Sequence, residues 1–134
     1  MTHEPFYLTE KDPEKFLRIY LGKYKTTYYR RKAKEVLRLI PRNLKGKRFL
    51  DVGSCGGYFS VVMAKRGASG VGCDISNFAV NAATLHAKKA NVEKIVSFKT
   101  GDAAAMKLSE KFDIILVKDV VEHIKDDVGF MQKL

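Results

Sequence analysis

The chain lacks long apolar runs and has only two cysteines among its 134 residues. A membrane-spanning helix needs about eighteen or more consecutive apolar residues, so the sequence predicts no membrane span. Cys55 and Cys73 are too few for a disulfide framework or a zinc site, which favours free thiols in a reducing cytoplasm. The N-terminal segment is acidic and polar, so no secretory leader is predicted. These absences indicate one cytoplasmic globular domain.

Basic residues far outnumber acidic ones over residues 1–48 taken together. Residues 1–48 contain fourteen Lys and Arg against five Asp and Glu, whereas residues 49–134 contain eleven against ten. A basic segment on a nearly neutral body is typical of contact with RNA, DNA or a lipid surface. A solvated helical face is the alternative, and the lack of a nucleic-acid-binding motif favours it. Nucleic acid therefore stays open as a partner.

Residues 1–47 are predicted to form a basic helical extension. Asp12-Pro13-Glu14 is typical of a helix start, and that helix should fade at Gly22. A second helix is predicted over residues 27–40, because Pro41 ends it. Its apolar stripe has helical spacing and should pack on the main body: Ala33, Val36, Leu37 and Ile40.

Strands and helices alternate from residue 48 onward. This pattern predicts an α/β, Rossmann-like open parallel sheet of strand order 3-2-1-4 with helices on both faces. The predicted strands are 48–52, 70–73, 95–99 and 112–117, and the helices are 57–66, 77–90 and a last one beginning at Asp119 or Val120. The fourth strand would form an unpaired apolar edge. We therefore expect residues 48–134 to be a domain that is truncated before its later strands. The alternative is that another chain covers this edge in an oligomer.

Acidic residues lie at the carboxyl end of each predicted strand: Asp51, Asp74, Asp102 and Asp119. In an open parallel sheet, ligands bind outside these carboxyl ends. The turn at residues 53–57, GSCGG, leads into a helix whose unpaired N–H groups should face the ligand. The pattern predicts one ligand site on this rim.

The same segments resemble the motifs of class I S-adenosylmethionine-dependent methyltransferases, in order and spacing. These segments are DVGSCGG at 51–57, VGCDIS at 71–76, GDA at 101–103, FDIILV at 112–117 and DVVEHI at 119–124. The last one resembles the small-molecule and quinone branch. Cys55 stands where that family usually has the middle glycine. A nicotinamide-binding Rossmann domain is the rival, since Asp74 lies at a fitting distance from Gly53, but its motif demands glycine at Cys55 and Tyr58.

The resemblance implies S-adenosylmethionine as cofactor and S-adenosylhomocysteine as product. It implies that Asp74 binds the ribose hydroxyls, that Asp102 and Ala103 hold the adenine, and that Asp51 lies near the methionine ammonium. Ile75 would pack on the adenine, and Tyr28 or Arg30 is a candidate for the methionine carboxylate. The whole implied cofactor-binding set is Asp51, Gly53, Ser54, Cys55, Gly57, Asp74, Ile75, Asp102, Ala103 and Lys118.

The resemblance further implies methyl transfer to an O, N or C atom of a small-molecule acceptor. Asp119 and His123 are the candidate catalytic bases. Asp119, Glu122 and His123 could together bind a divalent ion, but His123 packing at the helix start is favoured and no metal is predicted. His86 is expected at the surface. A non-catalytic cofactor-binding fragment or subunit is the alternative function.

Overall fold

The computed structural model describes residues 4–105, 109–120 and 124–134. In chain order, its helices and strands are α1 (Phe6–Thr9), α2 (Pro13–Lys23), α3 (Thr27–Arg38), β1 (Arg48–Val52), α4 (Tyr58–Lys65), β2 (Ser69–Asp74), α5 (Asn77–Lys89), β3 (Val96–Thr100), β4 (Ile114–Val117) and α6 (Asp127–Lys133).

The four strands form one parallel sheet in the order β3-β2-β1-β4, as predicted. Its central strand β1 is apolar, and Leu50 lies in register with Val71 of β2 and Ile115 of β4. Since β1 is paired on both sides, it can be buried completely, and Phe49, Leu50 and Val52 are all inaccessible to solvent. The strand order brings the carboxyl ends of all four strands to one rim.

Helices cover both faces of the sheet, which confirms the second part of the fold prediction. Alternate residues of β1 face opposite sides. Phe49 packs in a cluster with α3, α4 and α5, whereas Leu50 and Val52 pack with Phe130 of α6. Asp51 shares the face of Phe49 and therefore meets α4, where its carboxylate accepts a hydrogen bond from Ser60.

The N-terminal helices pack on the helical layer. Phe16 and Tyr20 of α2 lie against Ala79 and Ala82 of α5, whose small side chains allow close approach. The α3 stripe packs as predicted in the cluster around Phe49. The guanidinium of Arg66 donates to the Leu37 carbonyl in the last turn of α3 at 3.3 Å and to the Ile40 carbonyl beyond the helix at 2.9 Å. Helix α3 thus shares the core of the sheet, whereas α2 packs on α5 in a cluster of its own.

Most predicted boundaries differ from the observed ones by one or two residues, and two of the differences concern β4 and the segment after it. Strand β4 begins at Ile114 rather than at residue 112, since the Asp113 carboxylate accepts the Arg48 amide at 2.9 Å before regular pairing starts. The last helix does not begin at Asp119 or Val120. Asp119 has a φ of +55°, a left-handed conformation that does not continue into an α-helix. The short helix α1 was not predicted.

The outer edge of β4 pairs with no strand among the ranges that the structure describes. Its residues Ile114–Val117 are half-buried. Oligomer formation through this edge and truncation of the domain both stay predictions. Within the described part of the chain, no helix has both the length and the apolar character needed to cross a membrane.

Candidate functional site

The turn between β1 and α4 is built from left-handed residues. Gly53 and Gly57 have φ values of +74° and +81°, and Cys55 between them has +46°. Glycine adopts this region freely, whereas a side chain costs about 1 kcal/mol there. At Gly57 a Cβ would also lie only 2.9 Å from the ring of Phe98. The two glycines are therefore required by the turn, and Cys55 is tolerated at some cost.

The Asp74 carboxylate joins the end of β2 to this turn. One oxygen accepts the N–H of Cys55 at 2.9 Å, and the other accepts the N–H of Ser76 at 2.9 Å. Asp74 is still half-exposed, so lone pairs on both oxygens remain open to a ligand. Beside it, the apolar side chain of Ile75 is 68% exposed. A fixed carboxylate next to an open apolar surface suits a sugar with an attached base.

Asp51 lies beneath the turn and is only 3% exposed. Ser60 of α4 donates its hydroxyl to this carboxylate at 2.7 Å. Burial raises the pKa of Asp51 to about 7, against the opposing hydrogen bonds from Ser60. The side chain therefore braces α4 from inside the fold, and its placement near a methionine ammonium stays a prediction.

Asp102 and Ala103 follow β3 on the same rim. The exposed Asp102 carboxylate accepts the N–H of Ala104 at 2.9 Å, while Ala103 packs against the cluster around Leu50. Asp102 thus has oxygen lone pairs to spare at the place predicted for the adenine.

Both cysteines are free thiols, as predicted. Burial raises the pKa of Cys55 to about 12 and that of Cys73 to about 11. Both thiols therefore stay protonated at neutral pH, which makes them poor nucleophiles.

The segment after β4 closes the other side of the turn. Val120 packs on Gly53 so closely that a Cβ there would lie 2.2 Å from its methyl group. The Lys118 ammonium pairs with the Asp119 carboxylate and lies 5.9 Å from the centre of the Phe59 ring. Glu122 and His123 lie outside the described residues, so the candidate base His123 and the metal alternative are untested.

Tyr28 and Lys32 lie next to each other on α3, with the Lys32 ammonium 5.2 Å from the centre of the Tyr28 ring. Tyr28 raises the pKa of Lys32, and the charge of Asp119 raises it further. Tyr28 is 63% exposed. Its role toward a methionine carboxylate stays a prediction.

Two residues that contact the turn were missed from the sequence. The Tyr20 hydroxyl accepts the N–H of Tyr58 at 3.1 Å, so this helix N–H does not face a ligand as expected. The surface prediction for His86 is wrong, because His86 is half-buried and its Nδ1 lies 2.9 Å from the Gly56 carbonyl oxygen. Helical spacing was the available signal, since His86 shares a face with Ala79, Ala82 and Ala83.

A parallel sheet with a glycine turn and acidic residues at its switch point defines a Rossmann-like, nucleoside-binding class of domain. Residues 43–134 match the family model described as a methyltransferase domain. This match covers more than half of the sequence, and the chain belongs to that methyltransferase family. The resemblance inferred from the motifs is confirmed, and the nicotinamide alternative is not supported.

Individual relatives agree with this assignment. The chain is 40% identical over 91 residues to the ubiquinone biosynthesis O-methyltransferase of Brucella ovis, covering 68% of this chain and 36% of that protein. It is similar to an S-adenosylmethionine-dependent methyltransferase from Geobacter sulfurreducens solved with S-adenosylhomocysteine, at a TM-score of 0.61 and 25% identity over 69% of this chain and 39% of that one. The chain thus spans well under half the length of these relatives.

The N-terminal helices also belong to the shared fold. A methyltransferase-like structure from Methanococcus maripaludis matches 99% of this chain and 62% of its own length, with a TM-score of 0.70 and 16% identity. At that identity the likeness concerns the fold alone. It covers α2 and α3 as well as the sheet.

Proposed function

We propose that this chain is the cofactor-binding part of an S-adenosylmethionine-dependent methyltransferase that acts on a small-molecule acceptor. The observation that carries the proposal is the Asp74 carboxylate, which two backbone N–H groups fix while it stays half-exposed beside Ile75. Family membership supports the reaction class. The Geobacter relative solved with S-adenosylhomocysteine supports the choice of cofactor.

The residues present fit that cofactor. A carboxylate with open lone pairs on both oxygens can accept two hydroxyl groups, as a ribose presents them, and Asp74 has this form. The exposed side chain of Ile75 offers an apolar surface to a purine ring. Carboxylates on the rim, at Asp74 and Asp102, favour a ligand that carries positive charge. Gly53, Ser54 and Cys55 would shape the site rather than donate to the ligand, because their N–H groups already donate to the Cys73 carbonyl and to Asp74.

The chemistry needs little from the protein beyond placement. When bound, the cofactor supplies a methyl group on a positively charged sulfur, which is already activated for transfer. The contribution of this chain is to hold donor and acceptor in line, which is where most of the rate acceleration arises. Asp119 is the proposed base for an acceptor that must lose a proton, with His123 as the second candidate. The Lys118 ammonium pairs with the Asp119 carboxylate.

The acceptor is proposed from the relatives' names. They are O-methyltransferases of ubiquinone biosynthesis, which favours a small molecule with a hydroxyl group over a macromolecule. Tyr28 and the neighbouring Lys32 of α3 are the side chains we expect closest to it. The alternative is a cofactor-binding fragment without activity. Its support is that the chain matches only 36% of the length of the Brucella ovis relative. A methyl-transfer assay that compares this chain with a full-length relative separates the two.

Four further predictions accompany this proposal. Residues 1–47 form a basic helical extension, and residues 48–134 form the cofactor-binding domain. The exposed basic side chains of α3 are the surface on which RNA or DNA would bind. If the protein does not retain RNA even at low salt, this prediction is refuted. The free edge of β4 is the surface for an oligomer. The two unpaired thiols favour a cytoplasmic location.

Calorimetry with S-adenosylhomocysteine tests the proposal. Asp74→Ala should weaken binding by about 2 kcal/mol, or roughly 30-fold, as expected when a charged hydrogen-bond acceptor is removed. Asp113→Ala is the matched control. The Asp113 carboxylate also accepts a backbone N–H, but Asp113 precedes β4 and so lies at the amino ends of the strands, opposite the proposed site. Equal affinity in wild type and Asp74→Ala would contradict the ribose placement. Binding of a nicotinamide dinucleotide instead would contradict the function.

A further inference from the structure

Gly56 is buried, and the Tyr20 ring fills the space beside its Cα. A Cβ at this position would lie 2.2 to 2.7 Å from three atoms of the Tyr20 ring. Such distances mean that the ring rests directly on the glycine backbone. Glycine is therefore needed at position 56 for the approach of helix α2, whatever binds at the turn.

Tyr20 also reaches past Gly56 to helix α4. Its hydroxyl oxygen accepts the N–H of Tyr58, the first residue of that helix. The first N–H groups of a helix have no partner inside it, so this contact satisfies one of them. Tyr20 itself is 6% exposed and packs beside Phe16, so the ring has little freedom to move.

His86 of α5 holds the same peptide through its carbonyl. A carbonyl oxygen only accepts, so the Nδ1–H of His86 must donate to the Gly56 oxygen at 2.9 Å. Burial lowers the pKa of His86, which keeps the ring neutral with its proton on Nδ1. The Gly56 residue is thus fixed at its Cα by α2 and at its oxygen by α5.

We propose that Tyr20 and His86 are positioning residues that clamp Gly56 and thereby hold the β1–α4 turn in its cofactor-binding shape. The effect on binding rests on the proposed function, whereas the clamp itself does not. Three side chains from three elements thus hold the turn and the start of α4. Asp74 of β2 bonds Cys55, His86 of α5 bonds Gly56, and Tyr20 of α2 bonds Tyr58. Helix α2 is then part of the cofactor site without a ligand contact at Tyr20.

A double variant separates packing by Tyr20 from close approach by a ligand. Gly56→Ala should weaken S-adenosylhomocysteine binding by about tenfold, because the new methyl group displaces the Tyr20 ring and shifts the turn. In the Tyr20→Leu background, where the hydroxyl is already gone, Gly56→Ala should cost less than about threefold, since the smaller side chain makes room. If the ligand itself required glycine, Gly56→Ala would cost about tenfold in either background. A roughly tenfold cost in the Tyr20→Leu background overturns the clamp.

Gentler variants test each contact where Gly56→Ala fails to fold. Tyr20→Phe removes only the hydroxyl and should weaken binding by about three- to tenfold, whereas Tyr29→Phe, in the same aromatic cluster, should leave it unchanged. His86→Asn keeps a donor near Nδ1 and should bind nearly as the wild type, whereas His86→Leu should bind about three- to tenfold more weakly. Equal affinities for the Asn and Leu variants would refute the role of His86.

Amide hydrogen exchange tests the clamp without any ligand. The Tyr58 amide should exchange slowly in the wild type and about tenfold or more faster in Tyr20→Phe, because its acceptor is gone. Unchanged exchange would overturn the inference. A wild-type chain that fails to bind S-adenosylhomocysteine but shows this exchange difference would refute the proposed function and leave the clamp standing.

Discussion

Replacing Asp51 by Asn should change how stability depends on pH. The pKa of this buried carboxyl is raised from 3.8 to about 7, mainly by burial. Between these two values the folded protein keeps a proton that the unfolded chain has released. Stability therefore falls as pH rises from about 4 to 7, and the loss is complete above that window. Three pKa units correspond to about 4 kcal/mol of unfolding free energy.

Urea denaturation of wild type and Asp51→Asn between pH 4 and 8.5 measures this effect. The amide of Asn does not titrate, so the free energy of unfolding of the variant relative to the wild type should rise by about 4 kcal/mol across the series. The buried amide adds a cost that is the same at every pH and leaves this slope unaffected. Glu93→Gln, an exposed carboxylate before β3, is the control and should show no such slope. A flat difference for Asp51→Asn would refute the reasoning.

Three substitutions test the packing that supports the site. Phe49→Ala empties a fully buried position and should cost about 3–5 kcal/mol in urea unfolding, and a cost under 1 kcal/mol would contradict the core assignment. Ser76→Ala removes the N-cap that accepts the Ala79 amide and should cost about 1 kcal/mol by thermal unfolding, with Ser76→Thr close to wild type. Gly57→Ala should cost more than about 1 kcal/mol, from its left-handed φ and the contact with Phe98, so a neutral effect would contradict the turn geometry.

The sheet and the rim of acidic residues were predictable from local patterns. Apolar strands that alternate with helices allow few topologies, so the order 3-2-1-4 followed from the sequence of elements. Helix caps at Asp12 and Ser76 are local too, since each side chain bonds an amide two or three residues away. For the same reason the positions of Asp74 and Asp102 at strand ends needed no tertiary information.

The missed features depend on contacts between distant parts of the chain. Tyr20 and Tyr58 are far apart in sequence, and only the packing of α2 on α5 brings them together. The burial of Asp51, and with it the raised pKa, depends on α4 lying across β1. The left-handed conformation of Asp119 likewise has no signal in its neighbouring residues. Sequence patterns locate these residues without giving their partners.

A crystal structure of the chain with S-adenosylhomocysteine tests the central claim most directly. The account predicts density for the ligand at the turn of residues 53–57, with the ribose hydroxyls within hydrogen-bonding distance of the Asp74 carboxylate and the purine against Ile75. A ligand bound elsewhere, or a complex in which Asp74 makes no contact with the sugar, would contradict it.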